Sequence, residues 1–121
     1  MPTPVTETPR LILRELTPDD LDAVAATLAD PAVMAFWPRT YSRDEAMAWI
    51  ARQRGRYARD GHGYWLAIER ATGRPIGQAG LLTLDVAGLN AIGLGYILDS
   101  PHWGRGYATE AARACLDHAF A

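Results

Sequence analysis

Lysine is absent from this 121-residue sequence, and cysteine occurs once, as Cys115. All 12 basic side chains are Arg, set against 14 acidic ones for a formal charge of -2. The broad basic surface that non-specific nucleic-acid or anionic-membrane binding requires is therefore missing. The lack of Lys, together with abundant Ala, reads as compositional bias before function, because Arg and Lys replace one another on most surfaces. A lone Cys excludes an intramolecular disulfide and a multi-cysteine metal site, and it fits a reducing, cytoplasmic location. His62 and His118 have no partner at metal-ligand spacing, so no metal is expected. No run approaches the ~20 apolar residues of a membrane span, and the Pro-rich start has no charged-then-apolar leader pattern.

What is present fits a single domain over residues 1–121: 49% apolar residues, 11 Gly and 8 Pro, with no repeat or long linker. Leu11-Ile12-Leu13-Arg14 reads as a strand after the Pro-rich lead-in. Thr17-Pro18-Asp19-Asp20 opens a helix with a capping Thr, Pro in the first turn and acidic residues beside the helix dipole. Leu21, Val24, Ala25 and Leu28 recur at helical spacing until Asp30-Pro31. The apolar stretch from Val33 to Pro38 reads as a loop or short helix. Ser42-Arg43-Asp44-Glu45 is a capping box, and the helix behind it buries Ala46, Trp49, Ile50, Gln53 and Tyr57, ending at Asp60-Gly61. Its opposite face carries Arg52, Arg56 and Arg59, readable as a docking surface or as a solvated face.

Tyr64–Glu69 and Ile76–Leu84 then form an antiparallel hairpin, residues 85–90 a turn, and Ile92–Leu98 a strand broken by Gly93 and Gly95. The last helix begins near Gly104, with Ala108, Ala111, Ala112, Cys115, Leu116 and Ala119 on one face. Its entry is the segment with chemical content. Gly104, Gly106 and Ala108 let the backbone approach a ligand, and a helix amino terminus presents unpaired N–H groups and partial positive charge. That suits a phosphate or pyrophosphate, and the competing reading is an ordinary Gly-containing helix entry. It is neither a P-loop nor a dinucleotide fingerprint, because the Gly-Lys-Ser/Thr ending is missing and Leu98 stands where a third Gly belongs.

The run from Gly95 to Ala111, containing Asp99-Ser100-Pro101-His102-Trp103-Gly104-Arg105-Gly106-Tyr107-Ala108-Thr109-Glu110, closely resembles the acetyl-coenzyme A motif of the GCN5-related N-acetyltransferases (GNAT). Thr8-Pro9-Arg10-Leu11-Ile12-Leu13-Arg14 with Asp19-Asp20 and Asp30-Pro31, and Gly73-Arg74-Pro75-Ile76-Gly77, resemble the ribosomal-protein amino-terminal acetyltransferase branch. The resemblance implies an α/β (α+β) fold with a mixed, mostly antiparallel sheet flanked by helices, whose fourth strand ends in a bulge. It implies acetyl-coenzyme A as cosubstrate and an amine acceptor, either a protein amino terminus or a small molecule. It places Ile97 and Leu98 on the pantetheine and Gly104, Arg105, Gly106, Tyr107, Ala108 and Thr109 at the phosphates, with Trp103 where relatives carry Gln or Arg.

Two departures accompany the resemblance. Gly93 occupies the position where many relatives carry a Glu base, with Asn90 and Asp85 the nearest polar neighbours, so no base is assigned. The resemblance implies a fold that continues with a fifth strand, a helix and a terminal hairpin, so these residues read as a carboxy-terminally truncated relative or as part of a longer product, with the fourth strand unpaired. A homodimer covering that edge is one expectation. A non-catalytic coenzyme-binding or self-associating module is the alternative function. Cys115 reads as a core residue or a nucleophile, and His102 as a surface residue or a proton carrier. Phe36, Trp37, Tyr41 and Trp65 read as core or as an acceptor pocket.

Overall fold

The computed structural model describes residues 4–35, 37–99 and 103–119, the side chains of Asp85, Val86 and Asn90 excepted. Five strands form one sheet in chain order: β1 (Pro4–Glu7), β2 (Leu11–Glu15), β3 (Tyr64–Glu69), β4 (Arg74–Val86) and β5 (Leu89–Leu98). Helices α1 (Leu21–Ala29) and α2 (Arg43–Asp60) are inserted between β2 and β3, and α3 (Tyr107–Ala119) follows β5.

Alternation along the strands splits the core into two layers. On one face Leu11, Leu13, Trp65, Ala79, Leu81 and Leu98 pack with Tyr107, Ala111, Ala114 and Cys115 of α3. On the other, Leu16, Tyr64, Leu66, Ile68 and Ile97 pack with Val24 and Leu28 of α1 and Ala46, Trp49 and Ile50 of α2. Trp65 is therefore core, and Trp49 is the aromatic hub of the second layer, with the rings of Tyr64, Trp37 and Tyr41 at 5.2, 5.8 and 6.0 Å.

Local chemistry explains the helix boundaries. Ser42 Oγ accepts from the Glu45 amide at 3.2 Å while Glu45 Oε1 accepts from the Ser42 amide at 2.9 Å, and Gly61 ends α2 at φ 79°. Thr17 caps a short 3-10 turn, Pro18–Asp20, that leads into α1. Asp20 is not a solvent-facing first-turn acid. Its carboxylate takes two bonds from Arg14, at 2.7 and 2.9 Å, and one from the Thr17 amide at 2.8 Å, with both ion-pair side chains nearly buried.

Five features differ from the sequence expectations. The Pro-rich lead-in is itself a strand, because β1 lies at the sheet edge where the missing amide of Pro4 costs no ladder bond. The expected mixed, mostly antiparallel sheet is antiparallel in every described pairing, without a parallel pair among the described strands. The expected bulge at the end of the 92–98 strand is absent, since β4 and β5 pair without a break from Val86↔Leu89 to Gly77↔Leu98. The irregularity falls instead between β3 and β4, where Ile76 is the extra residue and Gly77 has φ 148°. The 85–90 turn shrinks to Ala87-Gly88, both left-handed at φ 53° and 81°, the geometry of a two-residue hairpin. Finally, α3 starts at Tyr107 rather than near Gly104 and buries Ala114 in place of the expected Leu116, which is exposed.

Candidate functional site

The end of β5 and the start of α3 enclose a cavity of about 600 Å³. Ile97 and Leu98 form its floor; Trp103, Gly104, Gly106, Tyr107, Ala108 and Thr109 supply its rim; Val33, Trp37 and Tyr96 close the sides. Eight of the nine residues expected at the coenzyme site thus meet around one hollow. Arg105 is the exception, for it is exposed and does not line the cavity. A second hollow of about 470 Å³ lies between the β1–β2 turn and α3, and Gly106 and Thr109 line both.

The rim has the backbone geometry that small residues permit. Gly104 and Gly106 have φ of 75° and 78°, a left-handed conformation costly for a side-chain-bearing residue. The first helical bond runs from the Glu110 amide to the Gly106 carbonyl at 3.1 Å, so α3 begins at this turn and brings the partial positive charge of a helix terminus to the rim. Trp103, expected at the phosphates, folds its indole back so that Nε1 donates to the Leu98 carbonyl at 2.9 Å. The strand end is tied below by the Asp99 amide donating to the Ile76 carbonyl at 2.8 Å. Thr27 of α1 donates to Asp99 Oδ1 at 2.7 Å.

Around the turn lies a charged cluster that sequence reading missed. Arg10, in the β1–β2 turn, donates through Nε to Glu110 Oε1 at 2.7 Å and through Nη1 to the Arg105 carbonyl at 2.8 Å. Its guanidinium carbon stands 4.3 Å over the Tyr107 ring centre. Glu110 Oε2 also accepts from the Arg10 amide at 2.9 Å and from Thr8 Oγ1. Partial burial works to raise the Glu110 pKa, but the bonds from Thr8 and Arg10 outweigh it and hold the carboxyl below its ordinary value. Tyr107 donates its hydroxyl to Glu69 at 2.5 Å, which holds the phenol above its usual range. Arg10 and Glu110 lie 100 residues apart in sequence, so no local spacing signals their pairing.

The remaining candidates separate clearly. Cys115 is fully buried beneath α3 and burial pushes its thiol up to about 11, the opposite of an activated nucleophile. His118 sets its ring edge-on against Trp65 at 5.2 Å, and His62 Nδ1 lies 3.0 Å from the Leu81 carbonyl. Among the described residues no group of His, Cys, Asp or Glu could hold a metal ion. No described helix is long and apolar enough to cross a membrane. Trp37 lines the cavity, whereas Tyr41 packs on Trp49 and does not. Arg56 donates to Gln53 at 3.2 Å and Arg59 to Asp60 at 3.1 Å, so the basic face of α2 is partly engaged. Phe36 and His102 lie outside the described residues. Gly93 stands on β5 with the Leu84 side chain beside it.

Residues 10–121 match the acetyltransferase (GNAT) domain family. The uncharacterized protein YkkB of Bacillus subtilis (strain 168) is 33% identical over 91 residues, which are 75% of this chain and 53% of that protein. The crystal structure of an acetyltransferase from Agrobacterium tumefaciens str. C58 is 32% identical, with a TM-score of 0.77 over 95% of this chain and 66% of that one. The ribosomal L7/L12 α-N-protein acetyltransferase RimL, solved in complex with coenzyme A, shares the fold at 16% identity and a TM-score of 0.75, covering 96% of this chain and 67% of its own. The chain thus spans about half the length of the curated relative and about two-thirds of these solved structures.

Proposed function

Because the chain belongs to the GNAT acetyltransferase family, we propose that it forms, as one domain, the acetyl-coenzyme A half of an N-acetyltransferase acting on an amine. The observation that carries this reading is the cavity itself, in which the strand end at Ile97–Leu98 and the small-residue rim from Gly104 to Thr109 converge. The rim fits a pyrophosphate: two left-handed glycines keep side chains off the approach, and the amino terminus of α3 brings partial positive charge to it. Ile97 and Leu98 offer an apolar wall to the pantetheine arm, and Trp37 and Tyr96 bound the opening where an acceptor would enter.

The transfer this supports is direct. A neutral amine forms the new C–N bond at the thioester carbonyl, the C–S bond breaks, the ammonium proton passes to a base, and the leaving thiolate takes up a proton. No described residue is assigned as that base or acid. The acceptor is a protein amino terminus or a small-molecule amine.

Titration calorimetry of the 121-residue chain with acetyl-coenzyme A tests the reading. Saturable one-site binding that is lost in Gly106→Glu supports it, and a folded chain that takes up no coenzyme overturns it. Thiol release in the presence of a panel of amines then assigns the acceptor class. A second reading, a self-associating binding module without turnover, is favoured by one feature: Ile92, Leu94 and Tyr96 of the edge strand β5 are 61%, 41% and 54% exposed along one face.

A further inference from the structure

Arg10 is far from the coenzyme turn in sequence, yet it makes more contacts with that turn than any other residue of the β1–β2 segment. Its fork is divided between two targets. Nε holds Glu110 in the first turn of α3, and Nη1 holds the carbonyl of Arg105, the residue between the two left-handed glycines. Nη2 lies 3.3 Å from where a Cβ on Gly106 would stand, so the guanidinium occupies the space beneath that glycine. Thr8 and the Arg10 amide fix the same Glu110 carboxylate, giving it three donors besides the nearby turn.

We propose that Arg10 is a positioning residue for coenzyme binding, which sets the Gly104–Gly106 turn by gripping the Arg105 carbonyl and cancels the Glu110 charge at the helix end that receives the phosphates. This rests on the coenzyme reading of the same cavity. Both halves follow from the geometry. A planar guanidinium donates in two fixed directions at once, which an ammonium group cannot copy. A carboxylate in the first turn of a helix is favourable when that terminus is empty, but it repels an anion bound there unless a cation pairs with it. Arg10 does not line the cavity itself and acts through the turn.

Three variants separate these effects: Arg10→Lys keeps the charge and loses the fork, Arg10→Gln loses both, and Arg10→Gln/Glu110→Gln removes the uncancelled charge. Two measurements are made on each, after thermal melts confirm folding: acetyl-coenzyme A affinity by calorimetry, and amide hydrogen exchange of residues 104–110 in the ligand-free chain. Arg10→Gln is expected to weaken binding about tenfold, and the double variant to recover about threefold of that, in line with a charge-assisted bond and a helix-end charge effect. Arg10→Lys falls between wild type and Arg10→Gln in affinity. Exchange at the turn rises in all three, while amides of β3 and β4 keep their protection.

Wild-type affinity in Arg10→Gln, or unchanged exchange at the turn, overturns the proposal. A double variant no tighter than Arg10→Gln overturns the charge-cancelling half. If Arg10→Gln does not fold, Arg10→Lys supplies both readouts. A wild-type chain that fails to bind acetyl-coenzyme A overturns the parent reading, and the exchange experiment, which needs no ligand, still decides whether Arg10 holds the turn.

Discussion

Asp20→Asn removes a charge from the ion pair that joins β2 to the start of α1, while keeping the shape of the side chain. In the wild type Arg14 and Asp20 are bidentate at 2.7 and 2.9 Å, and their side chains are only 11% and 8% exposed. Arg14 Nε is already without a partner, so the guanidinium depends on Asp20. Asn offers one acceptor where the carboxylate offers two, and turns an NH2 toward donors from Arg14 or the Thr17 amide. Breaking a buried pair on one side costs roughly 3–5 kcal/mol because it strands the other charge; taking about 3 kcal/mol, the melting temperature of a chain this size falls by roughly 10–15 °C.

The pH dependence has a definite sign. Burial raises the Asp20 pKa, but the bonds from Arg14 and Thr17 prevail and set it below its ordinary 3.8. A carboxyl with a depressed folded-state value stabilises the fold above its unfolded pKa, and that contribution is lost as the pH falls from about 4 toward the folded value. Urea titrations of wild type and Asp20→Asn between pH 7 and pH 3 read both effects, with the variant showing a shallower decline. An apolar replacement of both partners, Arg14→Met/Asp20→Leu, is expected to cost less than Asp20→Asn alone. A loss under about 1 kcal/mol at pH 7 for Asp20→Asn would refute the argument that this pair is buried and mutually dependent.

Other outcomes follow from single positions. Gly106→Glu abolishes measurable acetyl-coenzyme A binding, because φ is 78° there, Arg10 fills the space behind it, and the added carboxylate faces the phosphate position; calorimetry of the folded variant checks it. The Cys115 thiol, with its pKa pushed to about 11 by burial, stays unreactive toward a disulfide reagent at pH 8 and reacts stoichiometrically once the chain is unfolded in guanidinium. Gly80→Ala destabilises, since a Cβ there would collide with the Gly63 carbonyl, whereas Gly55→Ala, in the exposed interior of α2 where a Cβ meets nothing, stabilises by roughly 0.5–1 kcal/mol; denaturant midpoints compare them. Tyr96→Asp together with Leu94→Asp shifts sedimentation velocity toward a monomer if β5 mediates self-association, and unchanged profiles over a wide concentration range dismiss that surface.

Much of this architecture can be read from local patterns. The capping box at Ser42, the α2 face of Ala46, Trp49, Ile50 and Gln53, and the Gly-rich entry to α3 each depend on neighbours within a few residues. The lining of the cavity could be read for the same reason, because Ile97, Leu98, Trp103, Gly104 and Gly106 to Thr109 fall close together in the sequence. What escaped depends on partners distant in sequence. The lead-in around Pro4 becomes a strand only by pairing with β2 at the sheet edge, and Asp20, placed by sequence beside the helix dipole, is held by Arg14 of β2. The Ala87-Gly88 hairpin was hidden because an Ala at positive φ is uncommon and carries no turn signature. Trp103 and Arg105 look like ligand contacts by position, but one indole is spent on Leu98 and one carbonyl on Arg10.

The order of the strands also fixes an order of assembly. β3, β4 and β5 are successive hairpins whose ends meet after short loops, and α3 follows them directly, so the floor and rim of the cavity arise from contacts that are close in the chain. β2 joins β3 only after about 50 residues are closed into a loop, from Glu15 to Trp65, and Arg10 reaches Glu110 across 100. Loop-closure entropy favours the near contacts first. The floor and rim of the cavity are therefore expected to take shape from these near contacts, and the turn geometry to settle when the amino-terminal strands close over it.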